Sequence, residues 1–229
     1  MFIILLSDKY FFMNKKFKCI IFDLDGTLID SGPDLVESLN YVLKNEGLGN
    51  INHSILGSLV GGGAEMMIRK GFQYLNSKID ENKVQFYIDQ FLKYYFKKCT
   101  HKTKLYKGVE KTLKCLKESK IKICLCTNKK QYLTNKIIKG FNLDKYFDLI
   151  LGSSEKFKMK PDIQMLEYCS KQMEVNYKEC VMVGDSENDI IPANILEMTS
   201  IFVRYGYGEL NGSVVADFSI DKIYSVLDI

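Results

Sequence analysis

The apolar run Ile20-Ile21-Phe22 stops abruptly at Asp23-Leu24-Asp25-Gly26-Thr27, and this junction constrains the fold more than any other segment. An apolar run without alternation reads as a strand buried on both faces, as in a parallel sheet. Acids and a glycine at its carboxyl end then lie where open α/β sheets bind ligands. Two carboxylates held together there repel each other. A divalent cation relieves the repulsion, and a carboxylate beside such a cation can attack phosphorus. A calcium loop does not fit: an EF-hand beginning at Asp23 requires Gly at its sixth position and Glu at its twelfth, where the chain has Leu28 and Asp34. Asp-x-Asp-Gly is also ordinary turn chemistry, so its meaning rests on what the other strand ends supply.

Three further segments supply matching groups. Ile123-Cys124-Leu125-Cys126 runs into Thr127-Asn128-Lys129, a hydroxyl and an amide at a strand-to-helix turn suited to a phosphate oxygen, although the same residues serve as plain helix caps. Lys160 precedes Pro161, which fixes the backbone before a helix expected to open there. Val181-Met182-Val183 ends in Gly184-Asp185-Ser186-Glu187-Asn188-Asp189, with Asp189 one helical turn beyond Asp185, a second source of carboxylates for one cation.

In this order the four segments resemble the motifs of the haloacid dehalogenase-like hydrolase superfamily, over nearly all of the chain after about residue 17. Asp30-Ser31-Gly32-Pro33-Asp34-Leu35, Val60-Gly61-Gly62-Gly63-Ala64 and Arg204-Tyr205-Gly206-Tyr207-Gly208 are similar to its phosphoglycolate phosphatase-like branch. The resemblance implies that Asp23 is a nucleophile forming an aspartyl-phosphate and that Asp25 is the general acid and base. It implies that Thr127 and Asn128 hold phosphoryl oxygens and that Lys160 neutralises charge. It also implies magnesium bound by Asp23, the Asp25 main-chain carbonyl and Asp185, with Asp189 acting through water or a neighbouring group. Dehalogenating relatives lack an acid at the position of Asp25, because a halide leaves without a proton, so Asp25 favours phosphoryl transfer. Where the family commonly has Ala-Gly after the fourth motif, this chain has Leu196-Glu197, and its helix must end by another route. The expected reaction is hydrolysis of a small phosphomonoester, 2-phosphoglycolate first. Phosphatases of other small metabolites, a pyrophosphatase, a hexose-phosphate mutase and an inactive small-phosphate binding protein are the alternatives.

From Gly108 onward, apolar runs at 121–126, 147–151, 180–183 and 200–203 alternate with helical patterns beginning near 109, 132, 162 and 187. That alternation predicts an α/β fold with a Rossmann-like parallel sheet, completed by a short strand near 216–220. Between the first and second motifs the period is helical. Leu35, Val36, Leu39, Val42 and Leu43 lie between Pro33 and Gly47, and Val84, Tyr87, Ile88, Phe91, Leu92, Tyr95 and Phe96 form a second stripe, read as packing. Residues 33–104 are therefore expected to be an inserted α-helical cap, the core comprising 14–32 and 105–229. Hinges are expected near Ser31-Gly32 and Leu105-Tyr106. Gly61, Gly62 and Gly63, ahead of a helix starting near Ala64, form either a plain loop or a set of bare amides for a substrate's distal carboxylate.

A net charge of +4 over 229 residues, with lysines scattered beside acids, gives no basic stripe and excludes nucleic acid as an expected partner. Seven cysteines, an odd number without a C-x-x-C pair, argue for core thiols in a reducing, cytoplasmic setting, and the isolated His53 and His101 propose no zinc site. Residues 1–13 read as an N-terminal extension, too short in its apolar part for stable membrane insertion, with Met13 a possible alternative start. A monomer or homodimer acting on a small phosphorylated metabolite is expected.

Overall fold

The computed structural model describes residues 17–60 and 62–229, so the expected N-terminal extension lies outside the described residues. The elements run β1 (Cys19–Phe22), β2 (Ile29–Asp30), α1 (Gly32–Asn45), α2 (Leu56–Leu59), α3 (Gly63–Tyr74), α4 (Val84–Lys98) and β3 (Lys104–Leu105). They continue with α5 (Val109–Glu118), β4 (Lys122–Lys130), α6 (Gln131–Gly140), β5 (Leu149–Ser153), α7 (Gln164–Met173), β6 (Cys180–Gly184), α8 (Glu187–Ile195), β7 (Thr199–Val203) and β8 (Phe218–Ile220).

Six strands form one sheet in the order β5-β4-β1-β6-β7-β8, and every pairing is parallel. The chain works outward from β1 in one direction and then returns to work outward in the other, as in a Rossmann sheet. The crevice at the reversal lies between β1 and β6, the strands that end in Asp23 and Asp185. All four β1 residues are fully buried because helices cover both faces, which is why this strand is apolar without alternation. Cys19, Cys124, Cys126, Cys169 and Cys180 pack on one face of the sheet as free, buried thiols, whereas Cys115 is half-buried.

Two boundaries differ from expectation for physical reasons. β4 continues through Thr127-Asn128 to Lys130, since Lys130 still pairs with Ser153 of β5 beyond a register shift. Thr127 is thus a strand residue, not a helix cap. Pro161 does not open a helix. The Lys160-Pro161 peptide is cis, and α7 starts at Gln164, whose amide donates to the Asp162 carboxylate at 3.0 Å.

Between β2 and β3 the described residues form helices without a strand. α1 buries Leu35, Val36, Leu39, Val42 and Leu43 against α3 and α4, and α4 buries Val84, Tyr87, Phe91 and Tyr95. Each large side chain removed from water contributes roughly 1.5–3 kcal/mol. The two crossings into this insert pair as an antiparallel ribbon, Ile29 with Leu105 and Asp30 with Lys104. Asp34 ties them further: its fully buried carboxylate accepts from the Lys102 amide at 3.0 Å, the Thr103 amide at 2.8 Å and the Thr103 hydroxyl at 2.7 Å.

α8 ends without a glycine. Glu197 itself adopts φ +55°, and the Met198 amide reaches back to the Ala193 carbonyl at 2.9 Å, closing the helix in the geometry a glycine usually supplies.

Candidate active site

The loop after β1 is tight: the Leu28 and Ile29 amides both donate to the Leu24 carbonyl, and Gly26 takes φ +83°. A side chain on Gly26 would place its Cβ 2.1 Å from Asp185 Oδ2, so glycine permits the β1 and β6 loops to close on each other. This brings Asp23, Asp185 and Asp189 together, all buried, with one oxygen of each within 4.8 Å of the others.

Among the described residues, Lys160 is the ammonium at their centre. Its side chain is only 1% exposed, and Nζ donates to Asp23 Oδ1 at 2.8 Å, Asp189 Oδ1 at 2.6 Å and the Cys126 carbonyl at 2.6 Å. Burial works against its charge, but Asp189 and Asp23 hold it protonated, above the usual lysine value. For Asp23 burial dominates: its carboxyl is pushed up to about 7, with Lys160 offsetting the burial only in part and Asp189 adding to the rise. Burial, then Asp189 and Asp23, raise Asp185 well above the usual carboxylate range, although the Tyr207 and Gly208 amides donate to its Oδ2 at 2.7 and 3.2 Å.

Three carboxylates therefore face one cation. That imbalance, in a pocket of hard oxygen donors, fits a divalent ion. The oxygens are not equally available. Asp189 Oδ1 is on Lys160, and its Oδ2 accepts from the Ser186 amide at 3.2 Å and hydroxyl at 3.0 Å, a capping box that starts α8. Among the described residues, Asp23 accepts from Lys160 through Oδ1 and Asp185 accepts from the Tyr207 and Gly208 amides through Oδ2, so the other oxygen of each takes no part in these bonds.

Thr127 is buried on the wall of the cavity that Asp23 also lines. Asn128 turns its amide away from the cation cluster toward the Lys160 backbone. Its Nδ2 donates to the Lys160 carbonyl at 2.8 Å, and its Oδ1 accepts from the Lys160 amide at 2.9 Å, fixing the loop that carries the lysine. Asp25 meets Lys129 Nζ at 2.9 Å and the Ser31 hydroxyl, both through Oδ1.

A cavity of about 470 Å³ opens above these groups. Its upper wall comes from the helical insert, including Gly62, Gly63, Met67, Phe91 and Tyr95. Gly61 lies outside the described residues. Gly63 begins α3 with φ +79°, and Glu65, in the first turn of that helix, also lines the cavity and pairs with Arg69 at 2.9 Å.

Several contributors carried no role in the sequence reading. Lys129 follows the second motif but looks like any surface lysine, and Tyr95 reads as packing. The Ser153 hydroxyl ends β5 on the cavity wall, buried and without a partner among the described residues. Tyr207 bridges the β7–β8 loop to the insert, its hydroxyl donating to Asp30 Oδ1 at 2.7 Å and accepting from the Gly32 amide at 2.8 Å. The repeated aromatic-glycine pattern around it was the available signal.

Known proteins resemble this chain in sequence and in fold. The family described as haloacid dehalogenase-like hydrolase matches residues 20–203. A phosphoglycolate phosphatase of Agrobacterium fabrum is 34% identical over 203 residues, covering 86% of this chain and 87% of that protein. One from Colwellia psychrerythraea is 32% identical over 191 residues, covering 82% and 84%. The crystal structure of a predicted phosphoglycolate phosphatase from Haemophilus somnus superposes with a TM-score of 0.87 at 28% identity, covering 94% of this chain and 98% of that one. With the match spanning β1 to β7 and thus all four motif segments, the chain belongs to the haloacid dehalogenase-like hydrolase family.

Proposed function

We propose that this protein is a magnesium-dependent phosphomonoesterase working through an aspartyl-phosphate on Asp23, with 2-phosphoglycolate its first expected substrate. The observation that carries the reading is the Lys160 ammonium held between Asp23 and Asp189, 2.8 and 2.6 Å away, under a cavity large enough for a phosphate ester. Asp23, Asp185 and the Asp25 main-chain carbonyl would hold magnesium, with Asp189 acting indirectly. The ion would offset the surplus carboxylate charge and that of the phosphoryl oxygens.

The chain's own groups divide the remaining work. Asp23 attacks phosphorus, splitting one displacement into two. Lys160 and Thr127 hold phosphoryl oxygens as charge redistributes, and Asn128 serves by fixing the Lys160 loop. Asp25 gives a proton to the leaving oxygen and later takes one from the attacking water. The helical insert acts as a cap that keeps bulk water away, and Gly62 and Gly63 offer backbone amides to a carboxylate on the leaving group. The names of the relatives support phosphoglycolate as that ester. The test is phosphate release, with and without magnesium, from 2-phosphoglycolate, pyrophosphate, hexose phosphates and nucleoside monophosphates. Asp23→Asn serves as the blank. Magnesium-dependent release by the wild type alone, strongest on 2-phosphoglycolate, is expected; no release above the blank on any ester overturns the reading.

A further inference from the structure

Lys129 is a buried cation without a role in holding the phosphoryl group. Its side chain, 5% exposed, leaves the end of β4 and meets Asp25 Oδ1 at 2.9 Å and the Tyr95 hydroxyl at 2.7 Å, with Nζ 4.5 Å from the Tyr95 ring centroid. Tyr95 is fully buried and belongs to α4, an element of the cap. The Ser31 hydroxyl, at the start of the cap, donates to the same Oδ1. Asp25 is therefore gripped through one oxygen by one group from the core and one from the cap entry, and among the described residues its Oδ2 takes neither bond. Burying an ammonium is costly unless its partners are well placed. Here those partners are one carboxylate of the core and one phenol of the cap.

We propose that Lys129 is a positioning residue which, with Tyr95, holds Asp25 by Oδ1 so that Oδ2 faces the leaving-group oxygen when α4 is seated on the core. The inference rests on the phosphomonoesterase reading above. In the step concerned, the bond from an Asp23 oxygen to phosphorus forms and the bond from phosphorus to the leaving oxygen breaks. The proton on Asp25 Oδ2 passes to that oxygen, which departs as an alcohol and leaves Asp25 a carboxylate beside Lys129. Tyr95 makes this geometry sensitive to cap seating, because the Lys129 ammonium loses its second partner when α4 lifts.

Leaving groups that need a proton separate this role from a merely structural one. Phenyl phosphate and p-nitrophenyl phosphate have similar shapes, but p-nitrophenolate departs unprotonated far more readily. First-turnover release of each phenol is measured with magnesium for the wild type, Asp23→Asn, Lys129→Met and Tyr95→Phe. Lys129→Met is expected to slow phenyl phosphate about 100-fold and p-nitrophenyl phosphate no more than about threefold, with KM nearly unchanged. Tyr95→Phe, which keeps the ring and removes only the hydroxyl, shows the same selectivity at about five- to tenfold. If Lys129→Met does not fold, Tyr95→Phe decides alone. Equal slowing of both esters, or none, in a folded variant overturns the inference while leaving the phosphomonoesterase reading intact. A wild type no faster than Asp23→Asn on either ester overturns both.

Discussion

Without a divalent cation, the protein is expected to lose stability as pH rises, and Asp23→Asn should remove much of that loss. The Asp23 carboxyl lies at about 7 in the folded chain against 3.8 for the ordinary side chain, chiefly because it is buried. Between those values the folded state keeps a proton that the unfolded chain has released. Stability therefore falls with rising pH through this window and levels off above about pH 7. From about pH 5 to about pH 8 this group alone accounts for about 3 kcal/mol, and Asp185, raised in the same direction, adds to it. For a chain of this size that corresponds to a fall in Tm of about 5–10 °C. Thermal denaturation in a chelating buffer is the assay. At the alkaline end, Asp23→Asn should melt above the wild type, since it removes a buried charge that one lysine cannot balance. Magnesium at about 100 times its Kd should restore about 2.7 kcal/mol to the wild type at the alkaline end and much less at the acid end. A Tm indifferent to pH in chelator, or magnesium stabilisation of equal size at both ends, would refute the electrostatic reasoning.

Two further outcomes follow from residues outside the cation cluster. Asp34→Ala strands the Lys102 and Thr103 amides where the helical insert joins the sheet, and urea denaturation should show a loss of about 3 kcal/mol, with Asp34→Asn losing less because one acceptor oxygen remains. Equal losses for the two variants would show that shape, not the acceptor, matters there. Glu197→Gly relieves a left-handed backbone at the end of α8 and should raise stability by about 1 kcal/mol, the exposed Lys178–Glu197 pair at 2.9 Å contributing little. A lowered denaturation midpoint would contradict it.

The strand-end carboxylates were legible because burial imposes a pattern on neighbouring residues. β1 and β6 are covered on both faces, so each is an apolar run whose end is marked by the first charge. Helix α1 was equally plain, with Pro33 at its start and Gly47, at φ +73°, past its end. Segments whose state depends on a neighbour were not. Thr127-Asn128 has the composition of a turn but remains extended because β5 still offers a pairing partner at Ser153. Pro161 is a good first helical residue, yet the helix starts at Gln164.

The site divides in the same way. Composition and order along the chain determined that acids and a hydroxyl stand at the ends of neighbouring strands, with a lysine in the loop that follows another, since each strand is fixed by local period and by the rule that strands of such a sheet deliver their ends to one edge. Only the tertiary structure decided how the charges pair. Lys160 lies between Asp23 and Asp189 because Asn128 holds its loop, and Lys129 joins Asp25 to Tyr95 because α4 docks at that angle. Local sequence encodes which face of an element is apolar. A buried charge instead chooses partners by three-dimensional distance among residues far apart in the chain, and that distance exists only once the sheet and the helical insert have packed.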